Sequence, residues 1–347
     1  MLFTENKYIG IILVILFLPF TIIYWMVVTV RHFFYDIGIL KPYTADIFTV
    51  SVGNITAGGT GKTPTVIAIV NALKNNGFKP FVVTRGYGRK SSGRLMIDEK
   101  STASESGDEP ITIFRKTGVP VVCDKDRLSA VNSFGNGFNI AVLDDAFQHR
   151  KIRKNLDIVL IDESRFLGCG LLLPSGILRD NVSRLYKCDL IVLSKVNDIR
   201  SVSVKEKITR LKKYGKNILV SKMEPSKISN GTKEATFDSI KDKKISLFCG
   251  IADARSFLDL FRQNQVISKI TFSDHYFYTV SDFEALRKLK KDSDMIITTY
   301  KDFVKLPPEL VRETGIYYLD IDLSFYDSEL NSLDIAGFIR GFFERAE

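Results

Sequence analysis

Cysteine is sparse in this 347-residue chain: Cys123, Cys169, Cys188 and Cys249 stand far apart. None has the close spacing of a zinc ligand set or a disulfide frame, so the thiols read as free groups in a reducing compartment. Histidine is scarcer, with only His32, His149 and His275. No internal repeat or low-complexity tract occurs, which excludes a repeat array. Basic residues are not interleaved with aromatics, so the formal charge of +9 does not point to nucleic acid. It fits a lipid surface or a phosphorylated substrate. Nothing in the sequence calls for an obligate protein partner.

Charge is absent from residues 8–30, "YIGIILVILFLPFTIIYWMVVTV". About 20 apolar residues suffice to cross a bilayer. The run is too long for a signal peptide and lacks a small-residue cleavage site. Tyr24 and Trp25 suit a membrane interface. Residues 1–38 are therefore expected to attach to the bilayer, and Pro19 leaves open whether they span it or dip in as two arms. Glu5 and Lys7 precede the run, and Arg31 and Lys41 follow it. This weakly favours a cytoplasmic C-terminal side, as does any use of ATP.

After Pro42, apolar runs such as "IFTVSVG", "FVVTRG", "NIAVLDDAF", "LDIVLID", "DLIVLSK" and "NILVSK" alternate with polar-apolar stretches. Continuous Val/Ile/Leu strands imply a parallel sheet buried on both faces, in a doubly wound α/β layout. A polar stretch over residues 223–244 suggests a boundary. The expectation is a phosphate-loop domain over 39–225 and a smaller α/β domain over 226–347, ending in an amphipathic helix.

"SVGNITAGGTGKTPTV" follows the first of these strands. Gly58, Gly59 and Gly61 free the backbone to turn N–H groups inward, and the next helix adds its N-terminal donors. Residues Thr56, Ala57, Gly58, Gly59, Thr60, Gly61, Lys62 and Thr63 are thus the candidate nucleotide loop. Lys62 would reach the β- and γ-phosphates and Thr63 would hold Mg²⁺. Thr56 stands where a glycine is usual. Asp144 and Asp145 end the strand "IAVLDDAF", where carboxylates can hold the metal or its waters. Glu109 is a further metal candidate. Asp108, in "SGDEP", suits a general base. Arg85 and Tyr87 lie just past the second strand, at the edge where such sheets bind ligands.

Three classes fit such a loop. A deviant-loop ATPase of the partitioning or metal-chaperone type is disfavoured by Ala57 in place of its signature lysine. A GTPase is disfavoured because "LSKVND" has Ser194 for asparagine and Asp198 one residue late. A membrane-anchored small-molecule or lipid kinase remains. Here "GNITAGGTGKTP", "TRGYG", "SGDEP", "DDAFQHR", "LPSGILRD", "FSDH" and "TTYKDFVKL" occur in order, and the chain resembles the tetraacyldisaccharide 4′-kinases. Departures are Ala146 after the Asp pair, Asp180 closing the "LRD" motif and Ala254 near an expected proline.

The resemblance implies two α/β domains on the cytoplasmic face of the bacterial inner membrane. It implies ATP-dependent phosphorylation of the 4′-hydroxyl of a tetraacylated glucosamine disaccharide 1-phosphate. It pairs Asp108 with His275, which would come from the second domain, so that domain closure would bring base and nucleotide together. It matches Arg127 and Arg179 to phosphate-binding positions. His149, inside "DDAFQHR", joins Arg85, Tyr87, Arg127 and Arg179 as a substrate candidate.

Overall fold

The computed structural model describes residues 7–346, and Glu5 lies outside them. In chain order the main elements are α1 (Lys7–Asp36), β1 (Phe48–Asn54), α2 (Lys62–Asn75), β2 (Pro80–Thr84), α3 (Asp108–Thr117), α4 (Arg127–Phe134) and β3 (Ile140–Asp144). Then come β4 (Leu156–Asp162), β5 (Leu190–Ser194), α5 (Val202–Lys212), β6 (Asn217–Ser229), β7 (Lys244–Cys249) and β8 (Gln265–Thr271). The chain closes with α6 (Val280–Asp292), β9 (Met295–Thr299), β10 (Tyr317–Tyr326) and α7 (Ile335–Phe343). The fold is mixed α/β with parallel pairing dominant.

Two compact units result: Met1–Arg85, Asp126–Met223 and Leu323–Glu347 in the first, Gly86–Lys125 and Glu224–Asp322 in the second. One division between the units falls after Met223. Residues 86–125 and 323–347 do not follow the division read from the sequence, since each groups with the unit that its sequence neighbours do not. Nor does the polar stretch interrupt the chain's regular structure, because β6 runs on to Ser229.

In the first unit, parallel strands run in the order β6, β5, β4, β1, β3, β2. β1, β2, β3 and β5 are buried at every residue, as expected for strands covered on both faces. α2 packs on β1 and β3, and α7 packs on α2. The Phe343 ring sits 5.2 Å from Phe48 and 5.4 Å from Phe78. Val52 pairs with Asp144, so the carboxyl ends of β1 and β3 emerge side by side.

α1 belongs to this unit and runs unbroken through Pro19. It does not split into two arms. It is long and apolar enough to cross a membrane by length and composition. One stripe, including Val14, Phe17, Thr21, Tyr24, Val28, His32 and Tyr35, is covered at helical spacing. Ile12, Ile15, Phe20, Trp25, Val27 and Phe33 are exposed.

In the second unit, β8, β7, β9 and β10 form a parallel sheet in that order. One apolar cluster holds Ile245, Leu247, Phe257, Phe261 and Ile297, and another holds Phe248, Leu286, Ile296 and Leu310. Residues 86–125 add an antiparallel pair, Leu95–Met96 on Val122 and Cys123, and α3. α3 packs against the short helix Tyr300–Phe303. On α3, Lys116 pairs with Asp320 and lies over the Tyr300 ring. These contacts explain why the segment carrying Asp108 belongs here and not with the glycine-rich loop.

Candidate active site

The loop between β1 and α2 turns on two glycines. Gly58 has φ 95° and Gly61 φ 81°, a region that side chains with a Cβ avoid. Gly58 also has a close neighbour: a Cβ there would lie 2.4 Å from Arg165 Nη1. Arg165 donates to the Ala57 carbonyl (2.7 Å). Ser194 Oγ donates to the Thr60 carbonyl (2.9 Å). Thr56, where glycine is usual, is buried and bridges to Leu178. The Ala57 N–H donates to the Ile177 carbonyl (2.7 Å). Thr56 therefore serves the loop's attachment, a task a β-branched residue suits. Gly61 caps the start of α2, which opens with Lys62 and Thr63.

Lys62 Nζ is 3.9 Å from Asp145 Oδ1. Arg179 grips the same carboxylate with both arms, at 2.9 and 3.3 Å, and also donates to Asn54 Oδ1 (2.8 Å). Burial pushes the Asp145 carboxyl up, but the charges of Lys62 and Arg179 outweigh it and hold it below its ordinary value. Asp145 has φ 47°, which turns its carboxylate off the strand end. Asp144 is buried and accepts from Thr84 Oγ1 (3.2 Å).

The donor set of Thr63, Asp144 and Asp145 suits Mg²⁺. That ion takes one or two carboxylates and fills its shell with phosphate and water. Among the described residues no group of three or more His, Cys, Asp or Glu side chains could hold a metal by itself. Glu109 lies in the second unit, next to Asp108 in the first turn of α3.

The other basic candidates differ in their surroundings. Arg127 is buried and donates to the main-chain carbonyls of Asp144 (3.0 Å) and Asp145 (2.9 Å). It thereby fixes the turn that aims Asp145. Burial, with Arg127 and Lys154 nearby, pushes His149 down to about 4. This imidazole is neutral at pH 7, and its Nε2 is buried without a hydrogen-bond partner. Arg85 is exposed at the end of the first unit, whereas Tyr87, 69% exposed, lies in the second.

The second unit builds its own cluster. Asp108, 7% exposed, opens α3. His275 Nδ1 lies 2.9 Å from each of its carboxylate oxygens. The Tyr87 ring meets the imidazole edge-on at 5.7 Å. Lys301 Nζ is 3.4 Å from Asp108 Oδ2, 3.2 Å from Asp274 Oδ1 and 3.4 Å from His275 Nε2. Lys305 Nζ is 4.0 Å from Asp108 Oδ2 and 2.8 Å from Asp302. Burial pushes the Asp108 carboxyl up; the His275 hydrogen bond and the Lys301 and Lys305 charges overcome it and hold the group at about 2. The bond that His275 donates to Asp108 raises the imidazole above its usual value against burial. Asp108 and His275 thus meet within one unit. Lys301 and Lys305 were missed as site residues. They sit four apart in "TTYKDFVKL", and only the fold shows that both face Asp108.

A sequence model of the family described as tetraacyldisaccharide-1-P 4′-kinase matches residues 13–336. A tetraacyldisaccharide 4′-kinase of Colwellia psychrerythraea is 32% identical over 324 residues, covering 92% of this chain and 90% of that protein. One from Chlorobaculum parvum is 33% identical over 333 residues, covering 89% and 90%. The crystal structure of LpxK from Aquifex aeolicus, described as in complex with ATP, aligns with a TM-score of 0.75 at 27% identity. It covers 95% of this chain and 99% of that one.

Proposed function

The chain belongs to the tetraacyldisaccharide-1-P 4′-kinase family, and from that premise we propose how its residues carry the reaction. It is an ATP-dependent lipid kinase of lipid A biosynthesis. It transfers the γ-phosphate to the 4′-hydroxyl of a tetraacylated glucosamine disaccharide 1-phosphate.

The first unit handles phosphate. Residues 56–63 cradle the ATP phosphates with main-chain N–H groups, and Lys62 neutralises charge on the transferring group. Thr63, Asp144 and Asp145 would hold Mg²⁺, which when bound screens the phosphate oxygens. Arg179 and Arg127 keep the Asp145 carboxylate aimed. Arg85, Tyr87, Arg127, His149 and Arg179 are the groups proposed to meet substrate anions. The second unit supplies the acceptor for the hydroxyl proton. Asp108 held at about 2 is a weak base, which fits a loose transition state in which the hydroxyl proton leaves late. Its task is to orient the hydroxyl, with His275 and Lys301 fixing its carboxylate.

α1 is the proposed membrane attachment, on the cytoplasmic face of the inner membrane. Its outward side chains are mostly apolar, with Arg31 exposed near its C-terminal end, while its inner stripe is held by protein from Val14 to Asp36. That arrangement favours a helix lying along the interface over one that leaves the unit and crosses. The multiply acylated acceptor is held in the bilayer by about 0.8 kcal/mol per buried CH₂, so the enzyme meets it there.

The observation that carries this reading is the Asp145 carboxylate between Lys62 and Arg179 at the mouth of the glycine-rich loop. A guanine-binding role finds no support at "LSKVND". Ser194 is engaged with Thr60, Lys195 pairs with Asp162 at 3.5 Å, and Asp198 accepts from the Arg200 N–H. The test is purified protein in detergent with ATP and the disaccharide lipid. Phosphorylated lipid is expected; ATP hydrolysis without it, or a strong preference for GTP, overturns the reading.

A further inference from the structure

The contacts of α1 converge on one short segment. Thr21 Oγ1 donates to Ser175 Oγ (2.8 Å) and accepts from the Ser175 N–H (2.9 Å). Ser175 Oγ donates to the Val14 carbonyl (3.0 Å). The Tyr24 hydroxyl donates to the Arg179 carbonyl (2.8 Å). His32 Nε2 lies 2.6 Å from Asp180 Oδ1, both side chains buried. Asn181 Nδ2 donates to Thr29 Oγ1 (3.1 Å). Residues 175–181 are therefore strapped to α1 from Val14 to His32, about five turns.

The other side of this strap holds the glycine-rich loop. The Arg179 N–H donates to the Ile55 carbonyl (2.8 Å), and the Ile177 carbonyl accepts from Ala57. The Arg179 guanidinium holds Asn54 and Asp145. Arg179 is thus fixed by α1 at its carbonyl, by the loop at its N–H, and by the metal-site carboxylate at its side chain. A parallel route runs from Arg31, which donates to the Gln148 carbonyl (3.0 Å), through Gln148 Nε2 to the Asn54 carbonyl (2.8 Å). An anchor that served attachment alone would need none of these bonds to the loop's own supports.

We propose that α1 is a positioning element for the phosphate loop as well as an anchor, with Tyr24 and His32 as positioning residues that act through Arg179 and Asp180. The proposal rests on the kinase reading above. Seating α1 in the bilayer then sets the strap, and the strap sets the Asp145–Arg179–Lys62 geometry.

Tyr24→Phe tests it, because the ring and its apolar surface stay while the hydroxyl goes. The full chain is assayed in mixed micelles with ATP and the lipid acceptor, and by co-sedimentation with vesicles of phosphatidylethanolamine and phosphatidylglycerol. Losing one such hydrogen bond is expected to lower kcat and raise the KM for ATP, about three- to tenfold in kcat/KM. Vesicle binding and the KM for lipid stay at wild-type values. His32→Ala should act in the same direction, and His32→Gln, which can still donate to Asp180, should recover part of the loss. Hydrogen exchange on the same variants should speed up at residues 55–62 and 175–181. Unchanged ATP kinetics and unchanged exchange there, or a loss confined to vesicle binding and lipid KM, overturn the proposal. If the wild-type chain makes no phosphorylated lipid, the kinase reading fails, and the exchange measurement still decides whether α1 braces the loop.

Discussion

Replacing His275 by alanine removes a partner 2.9 Å from Asp108 and leaves the carboxylate buried with the Glu109 N–H at 2.9 Å, Lys301 at 3.4 Å and Lys305 at 4.0 Å. In the intact protein that carboxyl sits at about 2 against an ordinary 3.8, a preference for the charged form worth about 2 kcal/mol. With its main hydrogen bond gone, burial is less opposed and the carboxyl rises. The acid limb of the pH–rate profile should move up by about one to two pH units. At neutral pH the carboxylate stays ionised but is held less firmly by Lys301 and the Glu109 N–H alone, and kcat should fall about ten- to hundredfold. The KM for ATP should not move, because the glycine-rich loop belongs to the other unit.

Stability carries a second signature. The raised His275 stabilises the fold below its unfolded value of about 6.5, and the effect is lost as pH rises through its folded value. The lowered Asp108 stabilises above its ordinary 3.8, and the effect is lost as pH falls toward 2. Both contribute between about pH 4 and 6.5, so the variant's deficit in urea midpoint should be largest there and shrink at pH 8. Steady-state kinetics with urea titrations across this range are the assay. A deficit independent of pH, or a raised ATP KM with kcat intact, refutes the reasoning.

Lys62→Ala should abolish transfer while the fold stays intact by circular dichroism; normal turnover would end the claim that this loop handles the phosphates. Gly58→Ala forces a Cβ to 2.4 Å from Arg165 Nη1 at φ +95°. Strain of about 1–2 kcal/mol should raise the ATP KM roughly tenfold and leave the lipid KM alone; an unchanged ATP KM would place the nucleotide elsewhere.

Strands were legible wherever burial on both faces wrote an unbroken apolar run, as in "IAVLDDAF" for β3 and "LDIVLID" for β4. The turn chemistry around Gly58 and Gly61 was legible too, because only a few residue types tolerate those angles. What escaped was long-range grouping. Residues 86–125 sit between two strands of the first unit yet pack with the second, through surfaces on α3 that periodicity alone does not assign to a partner. Asp108 and His275 lie 167 residues apart; the family resemblance paired them, but no local pattern announces the lysines beside them. The boundary stretch looked polar because β6 carries exposed residues such as Pro225 and Lys227 beyond its buried half. α1 read only as an apolar membrane segment, since its Thr21, Tyr24 and His32 stripe gains meaning only against residues 175–181.

The most direct measurement is a crystal structure of the full chain with a non-hydrolysable ATP analogue and Mg²⁺. The β- and γ-phosphates should lie against the main-chain N–H groups of residues 58–63, within reach of Lys62, with the metal facing Asp144 or Asp145. Nucleotide bound away from this loop, or an empty loop at saturating analogue, would contradict the account.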